Sequence, residues 1–117
     1  MVNVQRMNTT IDRRQQLESE LEAIHQEIAA VRAEGEVIQG KRLEYATPGG
    51  TAGAPSQQRA KYARLMWGRG KERQSRYVPL EEIPRTAAAV ARGKAIAQLE
   101  RQAARIQKQI AAVEGKV

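Results

Sequence analysis

Apolar positions recur at regular steps in two long stretches of the chain and lose that regularity between them. In the first stretch, Leu17, Leu21, Ile24, Ile28 and Val31 follow steps of 4, 3, 4 and 3. This is the two-sided seam of a coiled coil, and it predicts a helix over residues 8–34. Thr9, Thr10 or Asp12 would cap its start, and Gly35 would follow its end. Glu18, Glu20, Glu22, Glu27 and Arg32 fill the positions between the seam residues. In the second stretch, Ile96, Leu99, Ala103, Ile106, Ile110 and Val113 follow steps of 3, 4, 3, 4 and 3. Upstream, Ile83, Ala87 and Val90 keep a similar step but are out of phase, so a stutter or bend is expected near Gly93. The second helix is placed over residues 80–114, with a short turn at Leu80. Pro79 and Pro84 suit its start and Gly115 its end.

The middle, residues 36–78, breaks the heptad rule. Residues 42–46 read as a strand with Leu43 and Tyr45 on one face. Residues 47–57 (TPGGTAGAPSQ) carry no charge and are rich in Gly, Pro, Ala and Ser, the composition of a flexible loop. Residues 59–67 and 72–78, separated by Gly68-Arg69-Gly70, read as a β-hairpin. The rival reading makes residues 57–66 a helix, since Ala60, Ala63, Leu65 and Met66 tolerate one. With the hairpin reading the chain is a single α+β domain. Two long helices form an antiparallel coiled-coil-like hairpin, with a small three-strand β insert between them.

Composition narrows the chemistry. The 117 residues include no Cys and one His, His25. That excludes disulfides, thiolate metal sites and any site needing two imidazoles. No apolar run reaches 18 residues and the first residues lack an apolar core, so neither a membrane span nor a secretory signal is expected. A cytoplasmic protein is expected. The large rings are few: Tyr45, Tyr62, Trp67 and Tyr77. So thin a core favours association with a second subunit.

Charge changes the picture most. The chain carries a net charge of +7, and most of the excess sits in residues 59–78. Arg59, Lys61, Arg64, Arg69, Lys71, Arg73 and Arg76 face a single acid there, Glu72. Trp67 and two tyrosines are interleaved with them. Cationic heads engage phosphates, and flat rings stack on bases. Arg outnumbers Lys, which favours forked phosphate contact over simple solubility. The tyrosines have another possible role, packing on the helices as apolar groups of the hairpin. The bland account of the cations is that they keep edge strands from aggregating.

The tract KYARLMWGRGKERQSRYVPLEEI, residues 61–83, resembles a small bacterial and archaeal domain family of unknown function. The matching features are Tyr62, Trp67, Gly70-Lys71, the run Ser75-Arg76-Tyr77-Val78-Pro79 and the helix from Leu80 onward, over about residues 61–110. The resemblance implies a basic β-hairpin followed by a long helix, and no established activity. Many members carry cysteines before the hairpin. This chain has none, so no metal role carries over.

No catalytic constellation emerges. His25 lies beside the seam and reads as a solvated or interfacial side chain. Glu18/Glu22 and Glu81/Glu82 read as exposed helix carboxylates. Tyr77 lacks the partners that would activate it, and Gly68-x-Gly70-Lys71 lacks the spacing and context of a phosphate loop. The expected function is therefore non-enzymatic, without metal, cofactor or small-molecule substrate. The leading expectation is a nucleic-acid-binding accessory protein, for DNA or RNA. Its binding residues would be Arg59, Lys61, Arg64, Trp67, Arg69, Lys71, Arg73 and Arg76. Leu17, Leu21, Ile24, Ile28, Val31, Ile96, Leu99, Ile106, Ile110 and Val113 would form the seam for a homo-oligomer or a larger complex. If DNA is the ligand, a nucleoid-associated location follows. The alternative is a coiled-coil adaptor subunit of a protein assembly.

Overall fold

Helix α1 spans Val2–Ala33 without interruption, because no Gly or Pro occurs before Gly35. A computed structural model of the chain describes residues 2–46 and 61–115, with side chains from residue 12 onward. The helix starts before the expected residue 8, so Thr9, Thr10 and Asp12 lie inside it and not at its start. Strand β1 is Arg42–Ala46, β2 is Tyr62–Trp67 and β3 is Gln74–Pro79. A 3-10 turn at Leu80–Glu82 leads into α2, Ile83–Gly115. The chain is thus α+β, with two helices and a three-strand antiparallel sheet in the order β1-β2-β3. The strand at Tyr62–Trp67 overturns the helical alternative for residues 57–66 as far as those residues are described. The loop expected over 47–57 lies outside the described residues.

Two compact units are present, one of residues 2–34 and 95–115 and the other of residues 35–94. In the second, alternation in the strands decides the core. Leu43 and Tyr45 share a sheet face with Ala63, Leu65, Trp67 and Val78, through the register Leu43↔Leu65 and Tyr45↔Ala63↔Val78. That face meets α2: Ala63, Leu65, Val78, Ile83 and Val90 form the buried cluster, and Ile38, Leu43, Tyr45 and Trp67 pack around it. Each fully buried Leu, Ile or Val side chain contributes about 1.5–3 kcal/mol.

The segment before β1 lies directly on α2. Ile38 N–H donates to the Ala89 carbonyl oxygen at 3.0 Å. Arg92 Nη1 donates to the Glu36 carbonyl oxygen at 2.9 Å. A Cβ added to Gly93 would overlap the Ile38 carbonyl oxygen, so only glycine permits this approach. This accounts for the phase break seen in the sequence. The inward positions of α2 run Ile83, Thr86, Val90, Gly93, Ile96, Leu99, Ala103, Ile106, Ile110 and Val113. Their steps are 3, 4, 3, 3, 3, 4, 3, 4 and 3. One surplus three-residue step centred on Gly93 shifts the stripe, while the helix itself continues unbroken. Thr86, and not Ala87, is the deeper of the two neighbours.

In the first unit Leu17 and Ile96 are fully buried and Ala103 nearly so. Leu21, Ile24, Ile28 and Val31 are half-buried, as are Leu99, Ile106, Ile110 and Val113. The seam positions thus turn inward but are only partly covered. Arg14 Nη2 lies 2.8 Å from Glu114 Oε1, and Arg14 Nε donates to Glu18 Oε1 at 3.1 Å. Glu27, Val31, Ala95, Gln98, Leu99 and Gln102 line a groove of about 310 Å³.

Gly93→Ala should test the backbone contact. The Ile38 peptide must retreat from the new methyl group, at a cost of about 1–3 kcal/mol. Urea unfolding followed by far-UV circular dichroism should show a lower midpoint. Gly115→Ala, where a Cβ meets nothing, should leave it within experimental scatter.

Candidate nucleic-acid interface

The hairpin strands present two faces of different character. The face away from α2 carries Arg42 and Glu44 from β1, Tyr62, Arg64 and Met66 from β2, and Ser75 and Tyr77 from β3. Arg64 sits at its centre, directly opposite Glu44 on one side and Tyr77 on the other. Along the diagonal, the Tyr62 and Tyr77 rings lie 5.6 Å apart and tilted by 33°, within the range of favourable ring pairs. Tyr77 remains 61% exposed. Glu44 is engaged by Arg42, whose Nε donates to Glu44 Oε1 at 3.1 Å.

The connection between the strands is longer than a tight turn. It spans residues 68–73 and is closed by a 3-10 turn at Gly70–Glu72. Glu72 N–H donates to the Arg69 carbonyl oxygen at 3.0 Å and Arg73 N–H to that of Gly70 at 3.2 Å. Gly68 adopts a φ of +82°, and a Cβ there would strike the Glu72 carbonyl oxygen. This compact turn projects Arg69, Lys71 and Arg73 into solvent.

The cations expected at the site are therefore placed as follows. Lys61, Arg64, Arg69, Lys71, Arg73 and Arg76 are all exposed. None of the six makes an ion pair among the described residues. Arg64 and Arg76 belong to opposite sheet faces, because Arg76 pairs with Leu65. Arg76 stays exposed because β3 is an edge strand. Arg59 lies outside the described residues.

Trp67 is placed differently from the cations. It packs on the core face beside Leu65, half-buried, and Lys41 Nζ sits 4.2 Å from its ring centroid. The exposed ring of the hairpin is Tyr77. The alternation Ala63, Leu65, Trp67 against Tyr62, Arg64 carries this assignment in the sequence, once β2 is known to be a strand. Arg42 also belongs to the outer face, although its place in a near-neutral segment left it outside the expected set.

Elsewhere, His25 is exposed, Glu18 pairs with Arg14, and Glu22 accepts from Gln26 Nε2 at 3.4 Å. Among the described residues no group of three or more His, Asp or Glu is placed to hold a metal ion. No described helix is long and apolar enough to cross a membrane.

Trp67→Ala should remove core packing, lowering stability by about 1–3 kcal/mol for a half-buried ring. Tyr77→Ala should change the unfolding midpoint far less. Equal losses from the two substitutions, measured in parallel urea titrations, would contradict the assignment of their faces.

Comparison of the chain with protein-family models, with curated proteins and with solved structures finds no match.

Proposed function

We propose that the protein binds nucleic acid without catalysing a reaction, gripping the phosphate backbone with the β2–β3 hairpin. The observation that carries this reading is the set of six exposed cations, unpaired among the described residues, on a hairpin whose own sequence holds one acid, Glu72, with Glu44 of β1 opposite Arg64. The unpaired guanidinium groups of Arg69 and Arg73 on a short hydrogen-bonded turn keep their donors available for phosphate oxygens. Tyr77 supplies an open ring on the same outer face as Arg64, suited to stacking on an unpaired base. The reading includes the basic-hairpin-and-helix layout implied by the resemblance of residues 61–83. It also includes a cytoplasmic site of action.

In the same reading α1 and the second half of α2 pair as an antiparallel coiled-coil hairpin that dimerises or docks. The Arg14–Glu114 contact and the joint lining of one groove by Val31, Ala95 and Leu99 support that pairing. The half-buried seam favours a second reading, an adaptor whose partner is another protein. Apolar side chains left partly in water gain when a further helix covers them.

Salt dependence separates the two. Counterion release makes the affinity of a phosphate grip fall steeply as salt rises. Titration of labelled single-stranded DNA, duplex DNA and RNA at two salt concentrations should give a slope that drops by about one for each of Arg64→Ala, Arg69→Ala and Arg73→Ala. Tyr77→Ala should cost about 1–3 kcal/mol on single strands and little on duplex. Absence of binding to all three at low salt would sink the nucleic-acid reading. For the helical pairing, Ile24→Asp and Ile106→Asp should each disrupt assembly in sedimentation velocity at micromolar concentration, since each places a charge in an apolar seam. If both leave the sedimentation profile unchanged, the seam is not an association surface.

A further inference from the structure

The two edges of the sheet are unlike. The β3 edge carries Arg76, follows Arg73 and ends at Pro79, features that discourage pairing with another strand. The β1 edge, Arg42-Leu43-Glu44-Tyr45-Ala46, has no proline. Among the described residues β1 pairs with β2 alone. Alternate peptide groups of β1 therefore point away from the sheet, a template for a further strand. Leu43 and Tyr45 are only half-buried. With Ala87, Val90, Ala91 and Lys94 they line a groove of about 210 Å³. Since β2 and β3 contribute nothing to that lining, the groove opens on the free side of β1.

We propose that a second copy of this chain occupies this edge, β1 against β1 and antiparallel, with Leu43 opposite Leu43 of the second copy. Charge complementarity selects the occupant and the register together. The run Lys41-Arg42-Leu43-Glu44-Tyr45 is complementary to its own reverse about Leu43. In that register Arg42 stands opposite Glu44 twice, once on each side of the two-fold axis, both on the outer face. On the inner face Leu43 meets its equivalent, and Lys41 stands opposite Tyr45. A slip of one position along either strand would turn the apolar residues to the wrong face. Centring the pair on Glu44 would oppose two carboxylates, and centring it on Arg42 would oppose two guanidinium groups. Like charges directly opposite are destabilising and opposite charges stabilising, so among the registers centred on residues 42–44 the Leu43 register is the one that satisfies both faces. The contact is isologous and closes on itself as a dimer, joining two sheets into one of six strands.

The test uses the full chain. Sedimentation equilibrium at micromolar concentration should report self-association, with a dimer that persists when Ile24→Asp breaks the helical seam. Arg42→Glu and Glu44→Arg each convert both symmetric pairs from attraction to repulsion. Each should weaken the dimer at least about tenfold, because two pairs change at once. Both side chains are half-exposed, so circular dichroism should report a retained fold, although each variant loses the Arg42–Glu44 pair and Glu44→Arg also sets an arginine opposite Arg64 in its own sheet. Mixing the two single variants should restore association as a heterodimer, since both pairs opposed across the interface are then again of opposite sign. The double variant Arg42→Glu/Glu44→Arg should also dimerise. A monomeric wild-type protein overturns the proposal, as does a mixture of the single variants that stays monomeric. So does a dimer that survives both charge reversals but falls apart on Ile24→Asp, which would assign it to the helices.

Discussion

The sheet-bearing unit depends on the contact between the Ile38 peptide and the bare Cα of Gly93. The segment after α1 is held there by the Ile38 hydrogen bond to Ala89 and by Arg92 on the Glu36 carbonyl. That contact fixes where β1 begins and how deep its apolar face sits against α2. From it follow the register of β2, the inward turn of Leu65 and Trp67, and the outward turn of Arg64. A single hydrogen atom in place of a methyl group at position 93 thus positions a strand, and through it the electrostatic face of the hairpin.

Much of this was legible in the chain. The 4-3 spacing marked the inward side of α1, and all five of its seam residues are the covered positions among the described side chains of that helix. The segment at Arg42–Ala46 was readable from Leu43 and Tyr45, which alternate with charged neighbours. Other features were not legible, for physical reasons. Residues 62–67 contain Ala, Leu and Met, which satisfy helix and strand alike, so local propensity did not decide and pairing with two neighbouring strands did. The inward face of Trp67 depends on that same pairing. A ring among cations looks equally suited to a base and to a core until its parity is known. The early start of α1 was hidden because Thr and Asp are good caps only where the backbone leaves the helix, and nothing there makes it leave.

The charges fall into two groups with different consequences. Arg14, Arg42 and Arg85 sit beside carboxylates on half-exposed surfaces, where such pairs contribute little to stability. The hairpin cations make no ion pair among the described residues, and their mutual repulsion is tolerated because their side chains are exposed to water. A surface of this kind adds little to folding and much to the long-range field, which falls off over about 8 Å at physiological salt.

Helix α2 belongs to two units without a break in its hydrogen bonding. One side of its first twelve residues is covered by the sheet and the segment before it, with Ile83, Ala89 and Val90 almost fully enclosed. Beyond Ala95 the enclosed positions thin to Ile96 and Ala103. Amide exchange along this one helix should therefore be graded, slow against the sheet and faster toward Gly115. Fraying from the far end would stop where the sheet core begins, so the helix can lose turns while the hairpin face keeps its shape. A partner that covers the far seam would stiffen those turns and leave the strands as they are.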